Sequence, residues 1–390
     1  MILFTHFLNK TAALLILGLL VFPSLADAEE IKKENPAVNE ERIRIAVFPV
    51  ENLSGTVAPT KEIRQTFIEK LGSVGVDVLD EETFEKFMAK YRIRYTGGVS
   101  TEIAKAFKQD IKVSGVLITS LELYSDVSPP KISLISRLVS TGESPSILWM
   151  DGVGLAGDDS RGLLDLGLIE DPNVLLDKAM KIMFDSMNRY LSKRNKEGEG
   201  YRAKRKFRPQ ISYRSPSFDP NRKYTVAIAP FFNYSLRKYA GDILVLHFAK
   251  ELKRFDRFDV IEMGAVRQAL LEMRIILDQG VSLVNADSIA GLLNADLILA
   301  GDVTDYEDYQ GVWGTPKVSF SAQLIERKSR EVVWSSDSYN EGDEGVFFFD
   351  LGRVNTASVM VSQMAQRIGR MILQDGRKVQ GARGSSGEVK

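Results

Sequence analysis

A twelve-residue stretch of this chain is written twice. Residues 43–54 read IRIAVFPVENLS and residues 224–235 read YTVAIAPFFNYS, at an offset of 181. Each is an alternating apolar run that stops at proline, followed after two residues by Asn-x-Ser. Alternation predicts a half-buried strand, and proline followed by short polar residues predicts that the strand ends there and turns. Such a strand is the opening element of an α/β unit, so its recurrence constrains the chain to two units in tandem.

The landmarks that follow keep step. In the first unit Ile63, Phe67 and Leu71 form the buried stripe of a helix over residues 59–72, and in the second Leu244, Phe248 and Leu252 take their places. Residues 76–79 read as a strand, and Asp80 is placed to cap the helix after it. Gly98-Val99-Ser100 recurs as Gly280-Val281-Ser282 at an offset of 182. Trp149 recurs as Trp334, and Asp165-Leu166-Gly167 as Asp350-Leu351-Gly352, both at 185. The closing helix keeps its stripe, with Leu175, Ala179, Met183 and Met187 becoming Met360, Met364, Ile368 and Ile372. A slowly growing offset is what small loop insertions produce, and a duplication accounts for the whole set. Methionine at helical spacing on such a helix reads as core. Each unit is expected to be an α/β sandwich, with parallel pairing among its early strands, then an antiparallel meander, the mixed sheet being packed by helices.

The expected organisation is a signal peptide over 1–28, a disordered lead-in over 29–42, domains over 43–191 and 224–373, a basic proline-containing linker over 192–223, and a disordered tail over 374–390. Lys10, a 12-residue apolar run and Ala26-Asp27-Ala28 have the form of a secretory signal, whose cleavage leaves 362 residues. The apolar run is shorter than the roughly 20 residues of a membrane span, so a periplasmic location is expected. The absence of cysteine excludes disulfides, thiolate chemistry and a cysteine-linked lipid anchor, so the protein is not read as a lipoprotein. Beyond the signal the single histidine is His247, leaving little for imidazole-based catalysis or metal binding. A net charge of -1 gives no general attraction to nucleic acid.

The strand ending in Pro-x-x-Asn-x-Ser belongs to a larger ordered set: residues 257–273, RFDVIEMGAVRQALLEM; residues 287–303, DSIAGLLNADLILAGDV; and residues 319–339, SFSAQLIERKSREVVWSSDSY. Together they resemble the superfamily that includes the amino-terminal domain of TolB, the curli secretion protein CsgG and the penicillin-binding-protein activator LpoB. The resemblance covers nearly all of the second unit and is weaker in the first, where Thr119 stands for Gly301 and Lys112-Val113-Ser114 for Asn294-Ala295-Asp296. It implies a mixed sheet packed by helices and work done in the envelope by protein contacts. Two departures bear on function. Relatives of CsgG and LpoB are typically lipoproteins, and neither unit here has room for the long hairpins from which CsgG builds its pore.

Several motifs have a functional and a structural reading. Gly152-Val153-Gly154-Leu155-Ala156-Gly157 matches a dinucleotide fingerprint, but only its last glycine recurs in the second unit, as Gly342, and no helix begins at the glycines to receive a phosphate. The acidic pairs Asp158-Asp159 and Asp343-Glu344 lack a calcium-loop spacing and read as turns. Asn52, Ser54, Asn233 and Ser235 read as turn formers, and His247 as a residue at the edge of a buried stripe. Two surfaces are expected to contact partners. One is the aromatic and acidic loop with Tyr306, Tyr309 and Trp313. The other is the basic run with Arg202, Lys204, Arg205 and Lys206, suited to an anionic lipid or envelope polymer. No catalytic residue, cofactor or metal ligand is assigned. The function expected is a non-enzymatic periplasmic adaptor or assembly factor that binds another envelope component. The alternative is a ring-forming, homo-oligomeric accessory of a CsgG-like secretion or flagellar apparatus.

Overall fold

A computed structural model describes residues 43–160, 167–192, 207–274, 281–311, 314–346 and 352–373, all within one compact unit of the chain. The first half runs β1 (Arg44–Val47), β2 (Glu51–Asn52), α1 (Thr60–Ser73), β3 (Asp77–Val78), α2 (Glu81–Lys90), α3 (Thr101–Ile111), β4 (Gly115–Ser125), β5 (Lys131–Ser140), β6 (Ile147–Ala156) and α4 (Pro172–Leu191). After β7 (Ile211–Arg214) the second half repeats that order. It comprises β8 (Tyr224–Ile228), β9 (Phe232–Asn233), α5 (Ala240–Lys253), β10 (Phe258–Val260), α6 (Met263–Glu272), α7 (Leu283–Leu293), β11 (Leu297–Glu307), β12 (Lys317–Glu326), β13 (Glu331–Glu341) and α8 (Ala357–Leu373). The sheets are ordered β3-β1-β4-β5-β6 and β10-β8-β11-β12-β13-β7, with β2 and β9 paired to β4 and β11. Pairing of β1 and β8 is parallel and the later strands are antiparallel, so the α/β architecture of two mixed sheets packed by helices is as expected.

Local chemistry explains the matched turns. The Asn52 side-chain oxygen accepts from the Ser54 amide at 3.0 Å and its hydroxyl at 2.6 Å, while the Asn52 amide donates to Thr56 O at 2.8 Å. Asn233 makes the same three bonds to Ser235 and Arg237, at 3.0, 2.7 and 2.8 Å. These side chains satisfy backbone groups that the interrupted strand leaves free. Asp80 caps α2 by accepting from Thr83 N, and Ser100 and Ser282 cap α3 and α7 in the same way.

Helices α1 and α4 cover the front of the first sheet, where Ile63, Phe67, Met183 and Met187 are buried with Leu117, Leu134 and Trp149. Helices α2 and α3 cover part of its back, over Ala46, Phe48, Val116 and Ile118. The second sheet carries α5 and α8 on its front and α6 and α7 on part of its back. The halves are joined face to back. Helices α5 and α8 also reach β6, and Ile135 and Ile147 of the first half lie in the second half's core. The stretch between the halves is only partly linker in character: β7 pairs antiparallel with β13, and Phe207 and Phe218 on either side of it are buried.

Candidate functional site

The junction between the halves is built on buried charge. Arg137 on β5 and Glu262, which caps α6, are both fully buried, with Nε and Nη2 donating to the carboxylate at 3.1 Å. Arg137 Nη2 also donates to Gly97 O at 2.6 Å, and Glu262 accepts from Val99 N at 3.3 Å. A second group joins Glu122 and Ser133 of the first half to His247 and Ser358 of the second. Burial disfavours the Glu122 charge, yet His247 and the hydroxyls of Ser358 and Ser133 hold its carboxyl below the usual range.

Serine, histidine and glutamate in contact invite comparison with a hydrolytic triad, but the geometry is wrong for one. Glu122 Oε2 and Ser358 Oγ both lie 3.1 Å from His247 Nε2, whereas a triad places acid and nucleophile on opposite ring nitrogens. The adjoining cavity is about 10 Å³, room for about one water. His247 is therefore an interface residue, not one at the edge of a stripe. Position 66 in the first half is a threonine, so nothing in the repeat pointed to it.

The glycine motif has the same explanation. A Cβ on Gly154 would lie 2.6 Å from Val359 Cγ2, so its absence lets α8 approach β6. Gly157 and Gly342 are pressed against Ile169 O and Val354 O, which is why this glycine alone recurs. The acidic pairs serve their turns: Asp159 accepts from Ala156 N and Asn355, and Glu344 from Glu341 N and Asn340.

The structure divides the expected aromatic patch. Tyr306 faces the core at 3% exposure, because strand alternation sends Asp305 and Glu307 to the other side. Tyr309 is held within the molecule: Lys131 Nζ lies 3.0 Å from its ring centroid and donates to its carbonyl at 2.8 Å, and its hydroxyl donates to Asn355. Burial lowers the Lys131 pKa to about 8. Trp313, Arg202, Lys204, Arg205 and Lys206 lie outside the described residues.

An open surface lies instead on the back of the second sheet. On the first sheet the equivalent region, with Glu122, Ser133, Ile135, Arg137, Gly152 and Gly154, is covered by α5 and α8 or by the residues that cap and join α3 and α6. The matching second-half residues are Thr304, Ser319, Ser321, Gln323, Asp337 and Tyr339, and none of them is buried. Asp302, Asp305, Glu307 and Glu341 share this face, and Lys317 is its lysine. Tyr339 is 43% exposed, while Tyr213 and Ile211 of β7 extend the face at 50% and 66%. Tyr339 donates a hydrogen bond to Glu341, which raises the phenol to about 12 and lowers the carboxyl. The legible signal was the polar alternation of Ser335, Asp337, Tyr339 and Glu341 in the last strand.

No protein-family model and no curated protein matches the sequence. Among solved structures, the chain is similar to the PelC dodecamer from Paraburkholderia phytofirmans, at 18% identity over 42% of this chain and 97% of that one, with a TM-score of 0.29. It is also similar to lipoprotein GNA1162 from Neisseria meningitidis, at 18% identity over 37% and 99% of the two chains, with a TM-score of 0.28. LpoB from E. coli, one of the proteins that the motifs resemble, is similar at 12% identity over 31% and 58%, with a TM-score of 0.25.

Proposed function

We propose that the protein is a non-enzymatic scaffold of the cell envelope that binds a protein partner through the open back of its second sheet. The observation that carries this reading is the difference between two equivalent faces, one buried against protein and one open. Tyrosines and an isoleucine there stand among acids, a composition suited to a protein contact. The excess of carboxylates favours a partner with a basic surface. The form of the N-terminal segment supports work outside the cytoplasm.

A ring built by repeating the internal junction from molecule to molecule is disfavoured. Such stacking would seat a helix layer on the second sheet as α8 sits on the first. At the position where Gly154 admits Val359, the second sheet carries Tyr339. The reading is tested by placing a photo-crosslinking amino acid at Tyr339 and Tyr213 in living cells, with exposed Leu292 on α7 as control. Adducts with a different envelope protein from the first two positions alone support it. Adducts only with other copies of this chain would move the oligomeric reading ahead, and adducts no different from the control would remove this face.

A further inference from the structure

A cleft of about 170 Å³ opens where the two halves meet, between β2 and α5 and α6. Its walls include an apolar side, supplied by residues such as Leu246, Met263 and Leu270. At its floor is Glu51, half-buried, and at its mouth are Asp242, Arg267 and Tyr95. We propose that this cleft binds a single alkylammonium group, the lysine side chain of a partner polypeptide. The site shares no residue with the open back of the second sheet and stands apart from that reading.

Three observations carry the assignment. First, the Glu51 carboxylate has hydrogen-bonding capacity left over among the described residues. One oxygen accepts from Ser120 Oγ at 2.7 Å, and the other takes no hydrogen bond from the described residues. The guanidinium of Arg137 is bonded through Nε and Nη2 to Glu262 and Gly97 O, and that of Arg267 lies 4.3 Å from the Tyr95 ring centroid. Burial raises the Glu51 pKa, and the hydrogen bond from Ser120 and the charges of Arg137 and Arg267 only partly offset it.

Second, the fold does not require a carboxylate there. The matching residue of the second half is Phe232, so an apolar side chain completes the same strand position. Glu51 is nonetheless accommodated closely, because a Cβ on Gly97 would fall 2.0 Å from its Oε1. Asp242 and Arg267 are likewise particular to the junction, since the first half has Lys61 and Glu85 in their places.

Third, size and polarity select the ligand. The volume is below the roughly 300 Å³ at which pockets for whole small molecules begin. An aliphatic stem suits the apolar side of the cleft, and a terminal ammonium suits the free Glu51 oxygen.

Nα-acetyl-lysine N-methylamide titrated into the protein, followed by saturation-transfer NMR, tests the proposal. The derivative is expected to bind and its norleucine analogue not to, while Glu51→Gln weakens binding about tenfold or more. Glu51→Phe, which installs the residue found in the other half, provides a second variant and should abolish binding with thermal stability retained. Failure of the lysine derivative to bind, equal binding of the norleucine analogue, or undiminished binding by a folded Glu51 variant would each overturn it. None of these results would bear on crosslinking from Tyr339.

Discussion

Glu122 and Thr304 occupy the same bulge of the same strand in the two halves, and their surroundings are opposite. Glu122 is buried against His247 and Ser358, while Thr304 is exposed and its hydroxyl bonds, among the described residues, only the neighbouring Ser319. Arg137 and Gln323 form a similar pair, as do Gly154 and Tyr339. The backbone therefore does not decide which face is covered. Side chains do: glycine where a helix must approach, ionisable groups where partners await them, and short polar or aromatic groups where water remains.

The sharpest way to break this comparison is at Arg137. Arg137→Met strands Glu262 without its counter-charge and is expected to lower stability by about 3–5 kcal/mol. Gln323→Met, on the open face, should stay within about 0.5 kcal/mol, and urea unfolding of both variants checks the contrast. Exchange at the bulge comes next. Glu122→Thr should cost about 1–3 kcal/mol by unpairing buried polar groups, whereas Thr304→Glu should leave stability nearly unchanged.

Acid should separate the partly and fully buried carboxylates by sign. Glu122 and Glu251 are held below the ordinary carboxylate value of 4.5. Against the penalty of burial, His247 holds Glu122 down, and Lys250 and Arg254 hold Glu251 down. Their stabilisation is fully present above that value and is lost as pH falls through their lower folded values. Glu51 is raised and has the opposite sign: mild acid protonates it in the folded state first and adds slightly to stability. Urea midpoints measured from neutral pH downward should therefore rise a little, because Glu51, Asp159, Asp242 and Asp308 are all raised, and then fall steeply. Glu51→Gln should reduce the rise, and an unchanged rise would contradict the Glu51 assignment. The smallest effect on folding is expected at Tyr339→Ala, within about 0.5 kcal/mol by thermal melting. Its consequence should be confined to partner capture, weakened about tenfold in pull-down from crosslinked cells if the ring is an anchor.

Much of the fold could be read from residues alone, because local chemistry fixes it. Proline ends β1 and β8, Asn52 and Asn233 set the turns, Asp80 caps a helix, and the alternating strands declare their inner faces. The junction could not be read in the same way. Ile132, Leu134 and Leu138 mark one face of β5, and nothing in that pattern says that Arg137 on the other face will also be buried. The useful sign was a contrast between the repeats, Gly152 and Gly154 against Asp337 and Tyr339, which becomes meaningful only once both strands are placed. Within the expected aromatic patch, Tyr306 departs from expectation for a related reason. Composition alone does not reveal facing, and alternation sends Tyr306 inward and the neighbouring acids outward. Strand β7 was hidden by its four-residue length between Pro209 and Pro216.

The face-to-back junction unites two surfaces that differ from each other, and both belong to one polypeptide. Two free subunits meeting this way would obey mass action and separate on dilution. Covalent linkage replaces bulk concentration with a local one, of millimolar order for a short flexible connection. A contact in which Arg137 Nη1 and His247 Nδ1 take no hydrogen bond from the described residues can then remain closed without high intrinsic affinity. Linkage in one polypeptide thus lets the junction stay closed whatever chemistry the open face of the second sheet carries.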